Sequence, residues 1–161
     1  IKMNNNKKVV LITGAASGMG LASAKRFKKD GWVVYGTDLF PSAKNGDKFP
    51  TGPECILISP VNVTSEEEQQ KVVDMIVSKH GRIDACVTCA GIGAGGFAHR
   101  IKMTTWDKVI AVNLTGTYLT IRACLPIMMK QRSGSIVTIS SVQGIEASNQ
   151  GASVYNAAKA G

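Results

Sequence analysis

Near the end of the chain, in "VYNAAKAG", a tyrosine and a lysine stand four residues apart, Tyr155 and Lys159. Residues at that spacing share a helix face. A positive charge beside a phenol favours its ionised form. Near the other end, "TGAASGMG" places Gly14, Gly18 and Gly20 in a G-x-x-x-G-x-G pattern between an apolar run and a helical one. Glycine lets backbone approach a pyrophosphate, and a helix N-terminus turns amide donors and its dipole toward that charge. No Lys-Ser/Thr pair follows, so this is not a Walker A loop. Asp38 comes eighteen residues after Gly20. A carboxylate there accepts hydrogen bonds from both hydroxyls of an adenosine ribose and repels a 2′-phosphate. Ser17 takes the place of the basic residue that phosphate-selecting loops use, and Leu39 follows the acid. The loop and the acid together predict NAD as cofactor, in preference to NADP. Each feature also has a plain structural reading: a tight turn, a strand end, a chance pair on a helix.

The elements that must carry these residues follow from periodicity. "KKVVLITG", "WVVYGTD", "CILISPVNV", "RIDACVTCAG" and "GSIVTISS" read as strands. "MGLASAKRFKKDG" reads as a helix with Met19, Ala22 and Phe27 at core spacing and Gly31 as its stop. "SEEEQQKVVDMIVSKHG" is a helix with a Ser65–Glu68 capping box, acids in its first turn, and Lys79, His80 and Gly81 at its end. His80 is thus a helix-end residue, not a ligand. "TTWDKVIAVNLTGTYLTIRACLPIMMKQR" is two helices meeting near Asn113, with Thr104 as the first cap and a kink at Pro126. "YNAAKAG" opens a last helix. Strands alternating with helices predict an α/β fold, a parallel sheet covered on both faces. The stretch 39–54 has no helical period and is expected to cross between strands two and three as a mobile loop.

The chain has 161 residues, 44% hydrophobic and 19% charged, which suits one globular domain with a real core. No apolar run reaches the length of a membrane span and no signal peptide is visible, so a cytoplasmic protein away from membranes is expected. The net charge of +8 is scattered along the chain without interleaved aromatics, which speaks against a nucleic-acid surface. Cys86 and Cys89 spell C-x-x-C, but residues three apart on a strand point to opposite faces and no second Cys/His pair completes a zinc site. The four cysteines are expected to be free, reduced and largely buried, and no metal is expected.

Five segments, "TGAASGMG", "GRIDACVTCAG", "WDKVIAVNLTGTYL", "GSIVTISSVQG" and "YNAAKAG", occur in the order seen in the short-chain dehydrogenase/reductase family, which the chain resembles from about Lys7 to its last residue. The resemblance implies a Rossmann-like doubly wound sheet with strand order 3-2-1-4-5. It implies an oxidoreductase that interconverts a secondary alcohol and a ketone, such as a 3-oxoacyl thioester, a polyol or a steroid-like alcohol. Tyr155 would be the general acid/base, and Lys159 would assist it and hold the nicotinamide ribose. Ser141 would bind the substrate oxygen, with Ser140 a weaker match. Asn113 would hold a water linking Lys159 to solvent. Gly14, Ser17, Gly18, Met19, Gly20, Asp38, Asn62, Val63, Cys89, Ala90 and Gly91 would line the cofactor together with Asn113, Tyr155 and Lys159. Members act as homodimers or homotetramers on small molecules.

The sequence departs from the family pattern in four places. The usual "NNAG" is "TCAG", which predicts altered local bonding at Thr88 and Cys89 with cofactor binding kept. The usual "DV" is Asn62-Val63, whose amide oxygen can still accept from an adenine amino group. Ser141 to Tyr155 is one residue longer than the commonest spacing, which predicts a small insertion over the substrate site. The family continues past the lysine with further strands, so the C-terminal strands are missing and the chain reads as an N-terminal portion of a longer protein. The competing function is a non-catalytic NAD-binding regulatory module.

Overall fold

A computed structural model describes residues 7–41, 46, 48–146 and 151–161. Five strands, β1 (Val9–Thr13), β2 (Val33–Thr37), β3 (Cys55–Ile58), β4 (Ala85–Thr88) and β5 (Ser135–Thr138), form one parallel sheet in the order β3-β2-β1-β4-β5. This is the expected Rossmann-like arrangement. Among the described residues the α-helical segments are α1 (Gly18–Lys29), α2 (Glu66–His80), α3 (Met103–Ile110), α4 (Gly116–Gln131) and α5 (Ser153–Ala160).

The period of two along each central strand divides the core. Val9 and Leu11 of β1, Val33 and Tyr35 of β2, and Cys86 of β4 face Val72, Val73 and Ile76 of α2 and Ala123, Cys124 and Met128 of α4. Val10, Ile12, Val34, Ala85 and Val87 face the other way, with Ala24 of α1 and the partly buried Phe27. Cys89 packs on that second side, so the C-x-x-C cysteines are separated by the sheet, and all four cysteines are free. The buried stripe of α1 is Gly20, Leu21 and Ala24; Met19 and Ala22, expected in the core, are exposed.

Local chemistry sets the helix limits. The Ser65 hydroxyl accepts from the Glu68 N–H (3.3 Å) and Gly81 closes α2 in a left-handed conformation. The return arm of the capping box is replaced: the Glu68 carboxylate accepts instead from the Asn62 N–H at 2.6 Å. At the start of α3 the cap position is Lys102, not Thr104, which lies inside the first turn. β3 is shorter than its apolar run predicts, because Pro60 has no N–H to continue a ladder.

Between β2 and β3 no helix occurs among the described residues; positions 42–45 and 47, where part of the expected mobile loop falls, lie outside them. Phe49 anchors the described part of the crossover. Its ring covers Gly36, where an added Cβ would sit 2.6 Å from Cε2.

α3 and α4 are not separate helices. A wide π turn, Ala111–Thr115, joins them into one helix, Met103–Gln131, with Pro126 inside α4. By length and mean hydropathy, 1.2 in its most apolar window, that helix could cross a membrane, which corrects the expectation that no such run exists. In this fold it packs on the sheet and on α2: the Thr120 hydroxyl meets Gln69 (3.2 Å) and Arg122 pairs with Glu66 (2.8 Å).

Candidate active site

The last residues of β1, β2, β4 and β5 are all threonine and lie in register: Thr37 beside Thr13, Thr13 beside Thr88, Thr88 beside Thr138. The chain leaves the sheet at this level into every segment that carries a predicted site residue. The Thr13 hydroxyl accepts from the Ala90 N–H (3.2 Å), which ties the strand before the glycine loop to the segment after β4. The buried Thr37 and Thr88 hydroxyls have no partner among the described residues. The altered "TC" dipeptide therefore leaves Thr88 without the cross-strand bond an amide could make.

Gly14 has φ +64°, and a Cβ there would lie 2.7 Å from the Ala90 nitrogen. A Cβ on Gly20 would collide with the Gly14 carbonyl. Only glycine permits this approach of loop, helix and β4 end. Gly18, at φ +51°, has open space beside it. Ser17 precedes α1 with an extended backbone and no side-chain cap bond, and Met19 is exposed. The first-turn amides of α1 thus have no side-chain cap among the described residues, and an uncapped helix N-terminus suits an anionic group. Asp38, just past β2, ties down the loop before that helix. One carboxylate oxygen accepts from the Ala16 N–H (3.0 Å), the other from the Phe40 N–H (3.1 Å). Each oxygen keeps a lone pair for a further donor.

Asn62 has a different local task. Its amide oxygen accepts from both the N–H (3.0 Å) and the hydroxyl (2.9 Å) of Thr64, so the lone pairs expected to meet an adenine are already engaged. Val63 is buried against α4, where a Cβ on Gly116 would lie 2.8 Å from its methyl.

Asn113, 4% exposed, sits in the π turn. Its amide nitrogen donates to the carbonyls of Ile92 (2.9 Å) and Val109 (3.0 Å), and its oxygen accepts from the Ile92 N–H (3.2 Å). The side chain holds the segment after β4 like a neighbouring strand. Gly91 lies between this amide and the lysine: a Cβ there would be 2.7 Å from Asn113 Oδ1 and 3.9 Å from Lys159 Nζ. The fold thus brings Asn113, Gly91 and Lys159 together from three elements.

α5 carries Tyr155 and Lys159. Val154 and Ala158 bury one face of the helix against Val109, with Ile92 and Ile101 packed around them, and the two polar residues follow on the adjoining face. Lys159 Nζ donates to the Ile139 carbonyl (2.6 Å) and lies 5.8 Å from the centre of the Tyr155 ring. Burial pushes the Lys159 ammonium below the usual lysine value, against an opposing influence of Cys89. Burial likewise pushes the Cys89 thiol up, opposed by Lys159. Ser140 donates its hydroxyl to the Lys159 carbonyl (2.8 Å), fixing the end of α5. Ser141 accepts from the Gln143 N–H (3.2 Å) and caps a short turn, Val142–Gly144. Tyr155 opens into a cleft of about 400 Å³ walled by Gly93, Ala94, Gly95, Gln143 and Gly151. Lys159 and Asn113 border a second cavity, of about 370 Å³, beside β5.

Sequence reasoning missed the threonine row, the closeness of Gly91 to Asn113 and Lys159, the Ser140 bond and Gln143 in the cleft. Only the threonines carried a signal, one at each strand end. The others arise from contacts between distant segments.

A Rossmann-like sheet with a glycine cradle at one strand end and a Tyr-x-x-x-Lys helix beside it defines a class, and comparison with known proteins agrees. The short chain dehydrogenase family profile matches residues 8–161. The chain belongs to that family of oxidoreductases. It is 42% identical over 158 residues to 3-oxoacyl-[acyl-carrier-protein] reductase FabG of Thermotoga maritima, covering 96% of this chain and 63% of that protein. It is 35% identical to the uncharacterized oxidoreductase YxjF of Bacillus subtilis, covering 96% and 61%. Among solved structures, ligand-free aldohexose dehydrogenase of Thermoplasma acidophilum superposes with a TM-score of 0.83 at 32% identity, covering 97% of this chain and 57% of that one. The chain spans less than two thirds of each of these relatives.

Proposed function

We propose that the protein is an NAD-dependent oxidoreductase that interconverts a secondary alcohol and a ketone, with a 3-oxoacyl thioester as the favoured substrate class. The observation that carries this reading is the Tyr155–Lys159 pair, with the ammonium 5.8 Å from the phenol ring and the phenol opening into a cleft. The 42% identity to a 3-oxoacyl-carrier reductase supports the substrate class. A bound nicotinamide supplies or accepts the hydride. The residues fit such a cofactor: Gly14 and Gly20 leave no room for a side chain in the cradle and Gly18 has a positive φ, while Asp38 has acceptor capacity for ribose hydroxyls and would repel a 2′-phosphate.

Tyr155 donates its proton to the substrate oxygen in reduction and removes one from the alcohol in oxidation. The Lys159 ammonium stabilises the phenolate between these states. Ser141 binds the substrate oxygen through its hydroxyl hydrogen, since its oxygen already caps the Val142–Gly144 turn. Asn113 fixes the Ile92 peptide, which would line the nicotinamide site, and a water held there would connect Lys159 to solvent. Four free cysteines suit a reducing cytoplasm. Apolar side chains exposed along α3 and α4, among them Tyr118, Leu125 and Met129, suit a homodimer or homotetramer.

The test is Tyr155→Phe in the full-length protein, assayed with a 3-oxoacyl thioester and NADH. Turnover is expected to fall by about 10²–10⁴-fold, the usual weight of a general acid, while NADH affinity by titration stays within twofold. A variant that keeps most of its rate overturns the assignment.

A further inference from the structure

We propose that Gly96, Gly151 and Ala152 form a clasp that positions Tyr155. This rests on the reading of Tyr155 as the acid/base. The clasp joins two segments far apart in sequence, just before α5 begins. Gly96 donates its N–H to the Gly151 carbonyl at 2.7 Å, and Gly96 and Ala152 form an isolated parallel bridge outside the main sheet. Both glycines hold backbone that other residues rarely adopt, φ +137° at Gly96 and +71° at Gly151. The approach is too close for a side chain. A Cβ on Gly151 would lie 2.8 Å from the Gly96 carbonyl carbon and 2.9 Å from both its oxygen and the Phe97 nitrogen. All three neighbours are backbone, which cannot swing aside.

The position of the clasp matters as much as its tightness. α5 starts at Ser153, directly after Ala152, and Tyr155 is its third residue. The far end of the helix is pinned separately. Ser140 donates to the Lys159 carbonyl, Lys159 Nζ donates to Ile139, and Gly144 comes so close that a Cβ there would lie 2.6 Å from the Lys159 oxygen. Tyr155 and Lys159 are four residues apart, about 6 Å along the axis at 1.5 Å per residue. With Lys159 as the fixed end, a shift at the clasp moves Tyr155 and barely moves Lys159. The clasp therefore sets where the phenol stands relative to both the ammonium and the substrate cleft, whose wall, Gly93 to Gly95, runs directly into Gly96. Gly151 is thus a positioning residue for proton transfer.

The experiment compares Gly151→Ala, Tyr155→Phe and Gly81→Ala in the full-length protein. Gly81→Ala is the control for backbone strain alone: it has φ +69° at the end of α2 and nothing near its Cβ. A misplacement of about 1 Å can cost about 10²-fold in rate. Gly151→Ala is expected to lower kcat by about that factor while the NAD Kd stays within twofold. The loss is expected in kcat alone, with the KM for the alcohol within about twofold of wild type, because the clasp moves the phenol and leaves the rest of the cleft in place. Gly81→Ala should lose stability and keep both kcat and KM. If Gly151→Ala keeps the wild-type kcat while Tyr155→Phe is inactive, the clasp proposal fails and the acid/base reading survives. If Tyr155→Phe keeps its rate, the acid/base reading itself fails. Should Gly151→Ala not fold, Gly96→Ala perturbs the clasp from the other strand, where its Cβ meets only the Ile101 side chain at 3.2 Å. A wild-type rate in that variant overturns the proposal equally.

Discussion

Asp38 serves two partners at once. It anchors the glycine loop through the Ala16 N–H and holds the Phe40 N–H, and on the proposed reading it also accepts from the adenosine ribose. Removing it has two separable effects: loss of two acceptors for NAD, and loss of repulsion toward the 2′-phosphate of NADP. Asp38→Ala is expected to raise the NAD Kd by about 10–100-fold, the loss of one or two hydrogen bonds to a charged group, and the NADP Kd by clearly less. Fluorescence titration with each cofactor checks this, and equal losses would count against the ribose assignment. At this scale the sequence is a good guide where chemistry is local. Tyr155 and Lys159 lie on one helix, and Gly14, Gly18 and Gly20 on one turn, so spacing alone relates them. Asn62 shows the limit. Its residue type suits an adenine, but its neighbour Thr64 takes both lone pairs, a competition that pattern reading does not weigh. Ser140 and Ser141 look interchangeable in sequence, yet one bonds the end of α5 and the other caps a turn.

Among the elements, the base of the sheet depends on one carboxylate. Asp84 accepts from the Val9 N–H (2.8 Å) and from Arg82 (2.8 and 2.5 Å), and its backbone bonds Val9 and Ser135, so it links β1, β4 and β5. Burial pushes the Asp84 carboxyl up, but the bonds from Arg82 and Val9 outweigh it and hold it below the usual aspartate value. The depressed value means that Asp84 contributes its full stabilisation above about pH 4. That contribution is lost as pH falls through the lower folded-state value. Asp84→Asn is expected to cost about 1.5–3 kcal/mol at neutral pH and to flatten the acid side of the stability curve. Denaturant midpoints at pH 7 and pH 3 measure both; an unchanged midpoint at pH 7 would rule the link out. The helices and their caps were legible because Ser65, Glu66 to Glu68 and Gly81 act within one turn of each other. The π turn was legible only as a disturbance near Asn113. The Asn113 side chain there takes the Val109 carbonyl of its own helix and holds Ile92 from a distant segment, a tertiary contact that spacing does not show. In α1, Phe27 faces the core as its spacing implies, but Met19 does not, because it stands beside the glycine loop, where no core exists to receive it.

Across the whole molecule, the α/β plan and strand order follow from alternation and resemblance, while the surface does not. Along the joined helix Met103, Trp106, Tyr118, Leu125 and Met129 are exposed, three of them (Met103, Tyr118 and Met129) by 60% or more of their area. If this face joins copies of the chain, the double variant Tyr118→Glu, Met129→Glu should convert a dimer or tetramer into a monomer. Sedimentation of the full-length protein reads the change, and an unaltered mass removes this face from the interface. Periodicity could not show the face, since an apolar stripe looks the same whether a sheet or a second subunit covers it.

β1 lies in the middle of the sheet, bonded on one side to β2 and on the other to β4. The first partner is made soon after it; the second begins at Ala85, after α1, β2, β3 and α2 have all been made. At a synthesis rate of roughly 5–20 residues per second, β1 waits several seconds on the ribosome with one edge open and its neighbour absent. During that wait the glycine loop is present but not closed, because the Thr13 hydroxyl bonds Ala90 and Gly14 packs on the same peptide. The nascent chain therefore closes its glycine loop when β4 docks, not when the loop is translated. The helix that carries Tyr155 and Lys159 comes later still, so on the proposed reading the groups that would anchor a cofactor are made before those that would use it.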